Sequence, residues 1–531
     1  MGSDPSPKGA GSDPNLRIQL TKAVEASWPW ASVVIGNPPF LGGSKKRREL
    51  GDAYFEALDK VYTGRVPGGA DLVCYWFDKA RLAIETKGLG AAGLVATNSI
   101  RGGSNRNVLS AITRTSRIFD AWSDEGWVND GAAVRVSLIS FGNVSDARMN
   151  GNRVAAIHAD LAVDSGLTDG VNLTMARTLQ ENCNSCFLGP EKNGKFDIPG
   201  EMARGWLGSP NVNGLSSSGV LKPRYNGIDL QRRWTDGWVI DYGTNTTEQD
   251  AALYEKPFAW ISSHVKPIRA KNLDRSRKTY WWRFGRTGED FRKAAANLNR
   301  YLAMSAHTRH ITFSWLPSAV MPDKALVLVT RHDDVYFGLV NSRFHELWSS
   351  KTCTWLGVGN DARYNAGNCF ETFPFPQGLT PADTVHQKTE AIEGGALIPA
   401  GISTSSMRTG GGSLRTAAEK IAQAAKRLND LREAWLNPPE WTNRVPEVIP
   451  LGMTSSPYPD RILPKPGHEK DLADRTLTKL YNQRPAWLDA AHKELDKAVA
   501  VAYGWADYTP EMPVEEILKR LLALNLKRAG A

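Results

Sequence analysis

The residues best suited to chemistry are Asn37, Pro38, Pro39 and Phe40, which directly follow a short apolar run at 32–36. That run predicts a buried strand, and ligands of open α/β sheets bind beyond the carboxyl ends of strands. Asn37 offers a side-chain carbonyl, and Pro38 offers a backbone carbonyl held by a ring that fixes φ. Phe40 offers a flat face for a base, and such stacking contributes roughly 1–3 kcal/mol. We therefore predict a pocket for an extruded base at this strand end.

The two carbonyl groups suit an amine that is a poor nucleophile because its lone pair is delocalised into an aromatic ring. Acceptors aimed at the amine hydrogens favour the pyramidal nitrogen that attacks a methyl group. Catalysis of this kind rests on positioning and electrostatics and needs no charged base. A second copy of the pattern, NPPE at 437–440, follows a long predicted helix and lacks the aromatic residue. We interpret that copy as a helix terminator.

The elements expected to position the motif alternate between strand and helix over residues 23–165. Strands separated by helices indicate βαβ units and a mainly parallel sheet. The predicted strands are Ser32–Gly36, Gly90–Asn98, Ile118–Ser123 and Val134–Phe141, and the predicted helices are Asp71–Thr86 and Ser104–Thr113.

A polar leader at 1–22, which we expect to be disordered, precedes the α/β region. Three regions of different composition follow the α/β region. Residues 166–376 comprise a connector and, from about 205 onward, a stretch with dense turns and short strands, which indicate an α+β module. Residues 377–412 are rich in Gly, Ser, Thr and Pro and predict a linker. Residues 413–531 predict a helical region whose first helix is capped by Ser413. The strands predicted in the α+β module are Trp238–Tyr242, Ala325–Val329 and Val335–Val340.

The formal net charge of +9 and the pI of about 9.1 suit a polyanionic partner. Five cysteines in 531 residues give no disulfide framework, so we expect a reducing cytoplasm. Cys183 and Cys186 lack the second pair that a zinc site needs, and we expect His307 and His310 to be a surface or core pair. No metal is therefore expected. No run of ~18 apolar residues predicts a membrane span.

Longer stretches resemble a known family. IGNPPFLGGSKKRRELGDAYFEALDKVYTGRVPGGADLVCYWFDKA and GLVATNSIRGGSNRNVL resemble adenine-N6 DNA methyltransferases of the type IIL restriction–modification and DISARM phage-defence group. The segments VLKPRYNGIDL, RHDDVYFGLVNSRFHELWSS and RYNAGNCFETFPFP resemble that group's target recognition domain. RTLTKLYNQRPAWLDAAHKELDKAVAVAYGW resembles its C-terminal helical region. The resemblance covers nearly everything after residue 28.

The resemblance implies an α/β fold: a partial Rossmann-like methyltransferase sheet, an α+β target recognition domain and a helical C-terminal region. It implies S-adenosylmethionine as methyl donor and adenine N6 in double-stranded DNA as acceptor. Asn37 to Phe40 match the family's catalytic motif residue by residue, and Asp71 to Lys79 match the helix after it. Thr97, Asn98 and Arg101 match the next strand end, near the pocket; a satisfied turn is the alternative.

The sequence departs from the family before the catalytic motif. The family's Gly-rich cofactor loop and ribose-binding acidic residue lie upstream of that motif, but only 36 residues precede Asn37. Three βα units need roughly 90 residues at ~30 each. We therefore expect a C-terminal part whose cofactor-binding half lies upstream or in a separate polypeptide. On its own, this chain is expected to bind the donor weakly or not at all.

A basic segment predicts where DNA is contacted. Residues 265–309 hold twelve Lys or Arg against three Asp or Glu, with aromatic residues among them. Basic residues with interleaved aromatics suit phosphate, sugar and base contacts, although a solvated face over a Trp-rich core has the same composition. Residues 45–48, after the catalytic motif, could hold the DNA strand or form a solvated loop. The candidate DNA-binding residues are Lys45, Arg101, Lys266, Arg269, Arg275, Arg277, Lys278 and Arg283.

Two other functions have to be weighed against methylation of adenine in DNA. One is a non-catalytic DNA-binding or specificity protein that kept a relic methyltransferase pocket. It stays open because the motif is intact while the cofactor loop is missing. The other is methylation of different amides or amines, since protein-glutamine and ribosomal RNA methyltransferases share NPP-aromatic motifs. About 170 residues of extra recognition module speak against that second alternative.

Overall fold

The computed structural model describes residues 23–129, 132–161, 163–164, 171, 173–272, 274–356, 361–404 and 413–530. The expected leader at 1–22 lies outside the described residues. The chain divides into two compact units, residues 1–166 and 167–531. Among the described residues, none of the helices combines the length and the hydropathy of a membrane span.

The first unit is an α/β unit built on a six-stranded sheet in the order β1-β2-β4-β3-β5-β6. Its helices are α1 (Gly43–Leu50), α2 (Asp52–Val61), α3 (Cys74–Thr86) and α4 (Gly103–Thr115). Its strands are β1 (Val33–Gly36), β2 (Ala91–Thr97), β3 (Arg117–Asn129), β4 (Ala132–Gly142), β5 (Ala147–Met149), β6 (Asn152–Val154), β7 (Ala156–Ile157) and β8 (Val163–Asp164).

The sheet is mixed, so the prediction of a mainly parallel sheet is wrong. β1 runs parallel to β2, whereas β4 runs antiparallel to both β2 and β3. A parallel connection needs a crossover of a dozen or more residues. Only residues 130 and 131 separate β3 from β4, so these two long strands must pair as a hairpin.

β1 carries the candidate motif and is exposed in two ways. Among the described residues it pairs with β2 alone, which leaves its outer edge unpaired. Val34 packs against the core of the unit, whereas Val33 and Ile35 point to the opposite face and are 52% and 85% exposed. Strands of parallel sheets are ordinarily apolar because both their faces are covered. The bare face, and the edge left unpaired among the described residues, therefore lie directly beside the NPPF motif.

The second unit holds several small sheets, in the orders β10-β12-β11-β16, β15-β13-β17-β9, β14-β19-β18, β20-β21 and β22-β23. Its strands are β9 (Cys186–Leu188), β10 (Asp197–Pro199), β11 (Leu221–Tyr225), β12 (Gly237–Ile240), β13 (Arg300–Ser305), β14 (His307–Thr308), β15 (Ser314–Pro317), β16 (Met321–Pro322), β17 (Leu326–Val329), β18 (Thr354–Leu356), β19 (Asp361–Arg363), β20 (Thr389–Ala391), β21 (Leu397–Pro399), β22 (Thr442–Val445) and β23 (Arg461–Pro464).

Short helices lie among these strands, and longer helices follow them. They are α5 (Gly200–Leu207), α6 (Gly227–Gln231), α7 (Glu248–Ala252), α8 (Glu255–His264), α9 (Lys266–Ala270), α10 (Arg275–Thr279), α11 (Glu289–Ala295), α12 (Asp334–Val340), α13 (Arg343–Thr352), α14 (Pro381–Thr384), α15 (Leu414–Leu436), α16 (Glu469–Asp474), α17 (Leu477–Gln483), α18 (Ala486–Tyr503) and α19 (Val514–Arg528). As predicted, Ser413 caps the long helix α15, where its hydroxyl accepts a hydrogen bond from the Thr416 amide.

The prediction of a strand at Val335–Val340 is wrong, because this run forms helix α12. Asp333 caps the helix by accepting a hydrogen bond from the Tyr336 amide. The whole helix is buried, which explains why its sequence is apolar on all sides and resembles a core strand. At Gly338 a Cβ atom would lie 2.6 Å from Ile421 of α15, so glycine permits this close helix contact.

Part of the stretch predicted as a linker, 377–412, is folded. It contains α14 and the β20–β21 hairpin, and Leu379 and Ile398 are fully buried. These side chains join a core that also takes residues from α12, α15, α18 and α19. The helical region therefore shares its core with the α+β module, and residues 405–412 lie outside the described residues.

Candidate active site and nucleic-acid interface

The NPPF motif lies at the carboxyl end of β1, where the sequence places it. Pro38 is buried and Phe40 is half-buried, while Asn37 is exposed. The Asn37 side chain makes no hydrogen bond to any described residue, so its carbonyl is available to a ligand. The geometry therefore offers a free amide oxygen and an aromatic ring at one strand end.

Two contacts fix the chain immediately after the motif. The Leu72 amide donates to the Leu41 carbonyl at 2.8 Å, and the Gly43 amide donates to the Asp71 carboxylate at 2.8 Å. A Cβ on Gly43 would lie 2.1 Å from the carbonyl oxygen of Gly69, so only glycine fits here. The segment after NPPF is thus held against residues 69–72.

Asp71 is shared between three elements. One carboxylate oxygen accepts from the Gly43 amide, while the other accepts from the Ser99 hydroxyl at 2.6 Å and the Asn105 side-chain amide at 2.8 Å. The Asn105 side chain in turn accepts from the Asp71 amide at 2.7 Å. Sequence reasoning assigned Asp71 only to the start of a helix. Nothing in the sequence pattern pairs it with Ser99 or Asn105.

The basic run after the motif is neither a solvated loop nor a uniform DNA-facing surface. It forms α1, in which Lys46 is fully buried and donates to the Gly68 carbonyl at 3.1 Å and the Tyr75 hydroxyl at 3.0 Å. Burial lowers the pKa of Lys46 below its ordinary value. Arg47 pairs with exposed carboxylates, whereas Lys45 is exposed. Lys45 therefore remains a candidate for DNA contact.

The next strand end, after β2, lies beside the motif because β1 and β2 are adjacent and parallel. The Thr97 and Ser99 hydroxyls share a hydrogen bond of 2.7 Å, and Asn98 accepts from the buried Ser137 hydroxyl at 3.0 Å. Arg101 ends the single helical turn that follows and is half-buried. The predicted neighbours of the pocket thus lie at this strand end, with Thr97 and Asn98 in hydrogen bonds of the turn.

The second NPP sequence is placed differently. Asn437 ends helix α15, and its side-chain amide donates to Glu433 at 2.8 Å. It follows no strand. This copy serves as an internal comparison for the motif at the end of β1.

Among the candidate DNA-binding residues, Arg269 belongs to the interior. It is 1% exposed, and its guanidinium donates to four backbone carbonyls. An arginine with this environment cannot reach a phosphate without breaking those bonds, so the structure favours a structural role for Arg269 over the predicted DNA contact. The four carbonyls belong to Lys192, Asn193, Arg277 and Arg283.

Three more of these basic residues make hydrogen bonds, a cation–π contact or ion pairs with neighbouring residues. Arg283 donates to the carbonyls of Thr244 and Thr246. Lys266 lies over the Trp281 ring, 4.6 Å from its centroid, and pairs with Glu248 at 3.4 Å. Arg277 pairs with Asp274 at 3.2 Å. These contacts organise the Trp-rich part of the second unit.

Helix α10 presents the remaining basic side chains to solvent. Arg275 and Lys278 are exposed, and Tyr280, directly after the helix, is 46% exposed. Asp274 caps the helix by accepting from the amides of Ser276 and Arg277. The combination of two exposed cations and an exposed aromatic is the part of the basic segment best suited to DNA.

The described residues do not fit the methyl donor that the family resemblance implies. They contain no Gly-rich loop between a strand and a helix on the outer side of β1, where the sheet ends. They also contain no group of three His, Cys, Asp or Glu side chains placed to hold a metal ion. What the unit does place at the end of β1 is the exposed Asn37 side chain and the half-buried Phe40 ring.

Two parts of the chain match known families. Residues 14–151 match the family described as the DNA-methyltransferase domain of MmeI. Residues 248–377 match the family described as the target recognition domain of MmeI. Together the two matches span about half of the chain and include the NPPF motif and helix α10.

One curated relative and one solved structure extend the comparison. DNA methyltransferase A of Bacillus subtilis (strain 168) is 22% identical over 388 residues, which are 68% of this chain and 41% of that protein. The solved structure of the type IIL restriction-modification enzyme MmeI in complex with DNA superposes with a TM-score of 0.64 at 19% identity. That match covers 94% of this chain and 57% of the MmeI chain. This chain therefore spans about half the length of these relatives.

Proposed function

Because the chain carries the DNA-methyltransferase and target recognition domains of the MmeI family, we propose that it methylates adenine N6 in double-stranded DNA at a specific sequence. It acts in the cytoplasm, in restriction–modification or phage defence, with S-adenosylmethionine as donor. The observation that carries the proposal is the NPPF motif at the end of β1, with Asn37 exposed and unpaired among the described residues. That strand end is where an open α/β sheet binds its ligands.

In the proposed reaction the target adenine leaves the helix, since its amine is out of reach inside the duplex. Asn37 and the carbonyl of Pro38 accept hydrogen bonds from the amine, and Phe40 stacks on the base. The stacking contributes roughly 1–3 kcal/mol, of the same order as the cost of unstacking. The residues of this chain thus position the acceptor nitrogen and favour its nucleophilic form.

We further propose that another stretch of polypeptide, encoded upstream or separately, completes the sheet beside β1 and brings the donor site. Val33 and Ile35 are apolar and bare, and the outer edge of β1 is unpaired among the described residues. A strand paired along this edge, with helices over the bare face, would give β1 the surroundings usual for such sheets. The sheet would then hold donor and target base at neighbouring strand ends.

Expression in a methylation-free host, followed by long-read mapping of N6-methyladenine, tests the proposal. We expect no methylation by this chain alone, and methylation at one short sequence when the upstream coding region or a separately encoded cofactor half is restored. Calorimetric titration of this chain with S-adenosylmethionine should show no submicromolar affinity. Methylation by the chain alone would contradict the need for a further half while supporting the activity.

A specific DNA-binding protein with a relic pocket is the second candidate, because the described residues include no donor site. The same mapping separates the two candidates. If no methylation is found after the upstream or separately encoded cofactor half is supplied, and the chain binds duplex DNA sequence-specifically, the DNA-binding protein with a relic pocket is favoured. Methylation in the restored system would exclude it.

Helix α10 provides a prediction on DNA binding. Replacing Arg275 and Lys278 by alanine should weaken binding to duplex DNA and lower the salt slope of log K by about two, one for each phosphate that is no longer neutralised. Both side chains are exposed, so the fold should be unaffected. Fluorescence anisotropy with a labelled duplex at several salt concentrations measures the effect.

The matched control removes two exposed lysines, Lys420 and Lys497, from the helical region. The change in net charge is the same as in the α10 variant. An equal loss of affinity in both variants would show that only the overall charge matters. Unchanged binding in the α10 variant would place this helix away from DNA.

A further inference from the structure

The carboxylate of Asp71 connects two segments of the first unit that the proposed reaction does not itself explain. It bonds to the segment after the catalytic motif through the Gly43 amide, and to the turn after β2 through the Ser99 hydroxyl. β1 and β2 are adjacent parallel strands, so these contacts join two neighbouring strand ends. Asp71 itself lies three residues before Cys74, where α3 begins, and does not cap that helix, whose N-cap is Val73.

The hydrogen bonds of Asn105 fix which of its side-chain atoms donates and which accepts. Its side-chain amide nitrogen donates to Asp71, and its side-chain oxygen accepts from the Asp71 amide and lies 3.5 Å from the Cys74 sulfur. The same nitrogen donates to the Ser99 carbonyl at 3.2 Å. Turning the Asn105 amide round would break these bonds. The network therefore requires two acceptor oxygens at position 71.

A rigid support matters here because the reaction depends on placement. Asn37 is exposed and hydrogen-bonds to no described residue, so its position is set by the backbone on either side. β1 fixes the chain before it, and the contacts of Leu41 and Gly43 fix the chain after it. A misplacement of 1 Å can cost roughly a hundredfold in rate.

We infer that Asp71 is a positioning residue, which holds the NPPF loop and the turn after β2 in one geometry so that both line the target-base pocket. This inference rests on the proposed function for its catalytic consequence. The geometric part, here named the Asp71 clamp, consists of Asp71 with Gly43, Ser99 and Asn105. It concerns the chain itself and can be tested without donor or DNA.

The clamp is tested by hydrogen–deuterium exchange on the purified chain. Asp71→Ala removes both acceptors, and we expect the Gly43 amide to exchange at least about tenfold faster. The control is Asp78→Ala, since Asp78 is a carboxylate of the same unit that is buried and pairs with Arg65 and Arg81. We expect the control to leave Gly43 exchange unchanged. Unchanged exchange in Asp71→Ala would overturn the clamp.

The positioning role is tested by kinetics of the complete enzyme, with the cofactor half supplied. In Asp71→Asn one acceptor becomes a donor that faces either Gly43 or Asn105. We expect kcat to fall roughly 10–100-fold while KM for DNA stays within about twofold. Adding Asn105→Asp restores a donor–acceptor pair between the two side chains but sets a carboxylate oxygen against the Ser99 carbonyl, so kcat should recover only in part. Asp78→Asn should change neither constant for the folded fraction.

The outcomes separate the two proposals. Faster Gly43 exchange with no methylation by the unaltered complete enzyme would sustain the clamp and reject the proposed function. Faster exchange with an unaltered kcat in Asp71→Asn would overturn the positioning role. A parallel fall of kcat in the Asp71 and Asp78 variants, both measured on folded protein, would also overturn it.

Discussion

Asn37→Ala is expected to lower adenine methylation by the complete enzyme at least about 10²–10³-fold while leaving its fold and DNA affinity unchanged. The loss of one preorganised hydrogen-bonding group in a catalytic site has an effect of this order. Asn37 is exposed and bonds to no described residue, so the cost in folding free energy should stay within about 0.5 kcal/mol. Methyl transfer from labelled donor to target DNA measures the rate, and thermal unfolding checks the fold.

The chain provides its own control for this substitution. Asn437→Ala changes the same residue type in the other NPP sequence, at the end of α15, and should leave methylation unaltered. Asn37→Asp retains an acceptor oxygen and should lose less activity than Asn37→Ala. Full activity in Asn37→Ala would reject the assignment of the motif.

Arg269→Met is expected to destabilise the second unit by about 3–5 kcal/mol, because buried backbone carbonyls lose the charged group that donates to them. The methionine fills similar space but leaves four carbonyls without their donor. Each buried unsatisfied acceptor costs about 1–3 kcal/mol. Guanidinium unfolding followed by tryptophan fluorescence will report this change, since Trp281 and Trp282 are buried in the same part of the unit.

Arg275→Met makes the same change at an exposed position on α10 and should alter stability by less than about 0.5 kcal/mol. The two variants thus separate structural from DNA-facing arginines. Equal stability of Arg269→Met and the unaltered protein would show that the carbonyls find other donors. In that case the guanidinium would be available to DNA after all.

The strand end and the capped helix could be predicted because their signals are local. An apolar run followed by NPPF indicates the end of β1, and Ser413 before a periodic apolar pattern indicates the start of α15. The chain over 335–340 could not be assigned in this way, because a helix buried on all sides has no polar face to reveal its period. Its length of seven residues fits a strand as well as a helix.

The roles of individual charged residues depended on contacts that no local pattern contains. Lys46 and Lys45 are neighbours in one basic run, yet only Lys45 is exposed. The sequence does not distinguish Arg269 from the basic residues around it, and the approach of the carbonyls of residues 192, 193, 277 and 283 makes it an internal donor. The Asp71 clamp likewise joins residues 28 and 34 positions apart.

The bare face and unpaired edge of β1 also bear on how such a protein survives in a cell. Unpaired edges of apolar strands recruit other strands and so nucleate aggregation. Ile35 and Val33 provide such a surface, among the described residues, within the first unit. If the donor half is a separate polypeptide, synthesis of the two halves side by side would protect this edge from the moment it forms. Neighbouring genes or a shared messenger RNA would then be a requirement of solubility as much as of regulation.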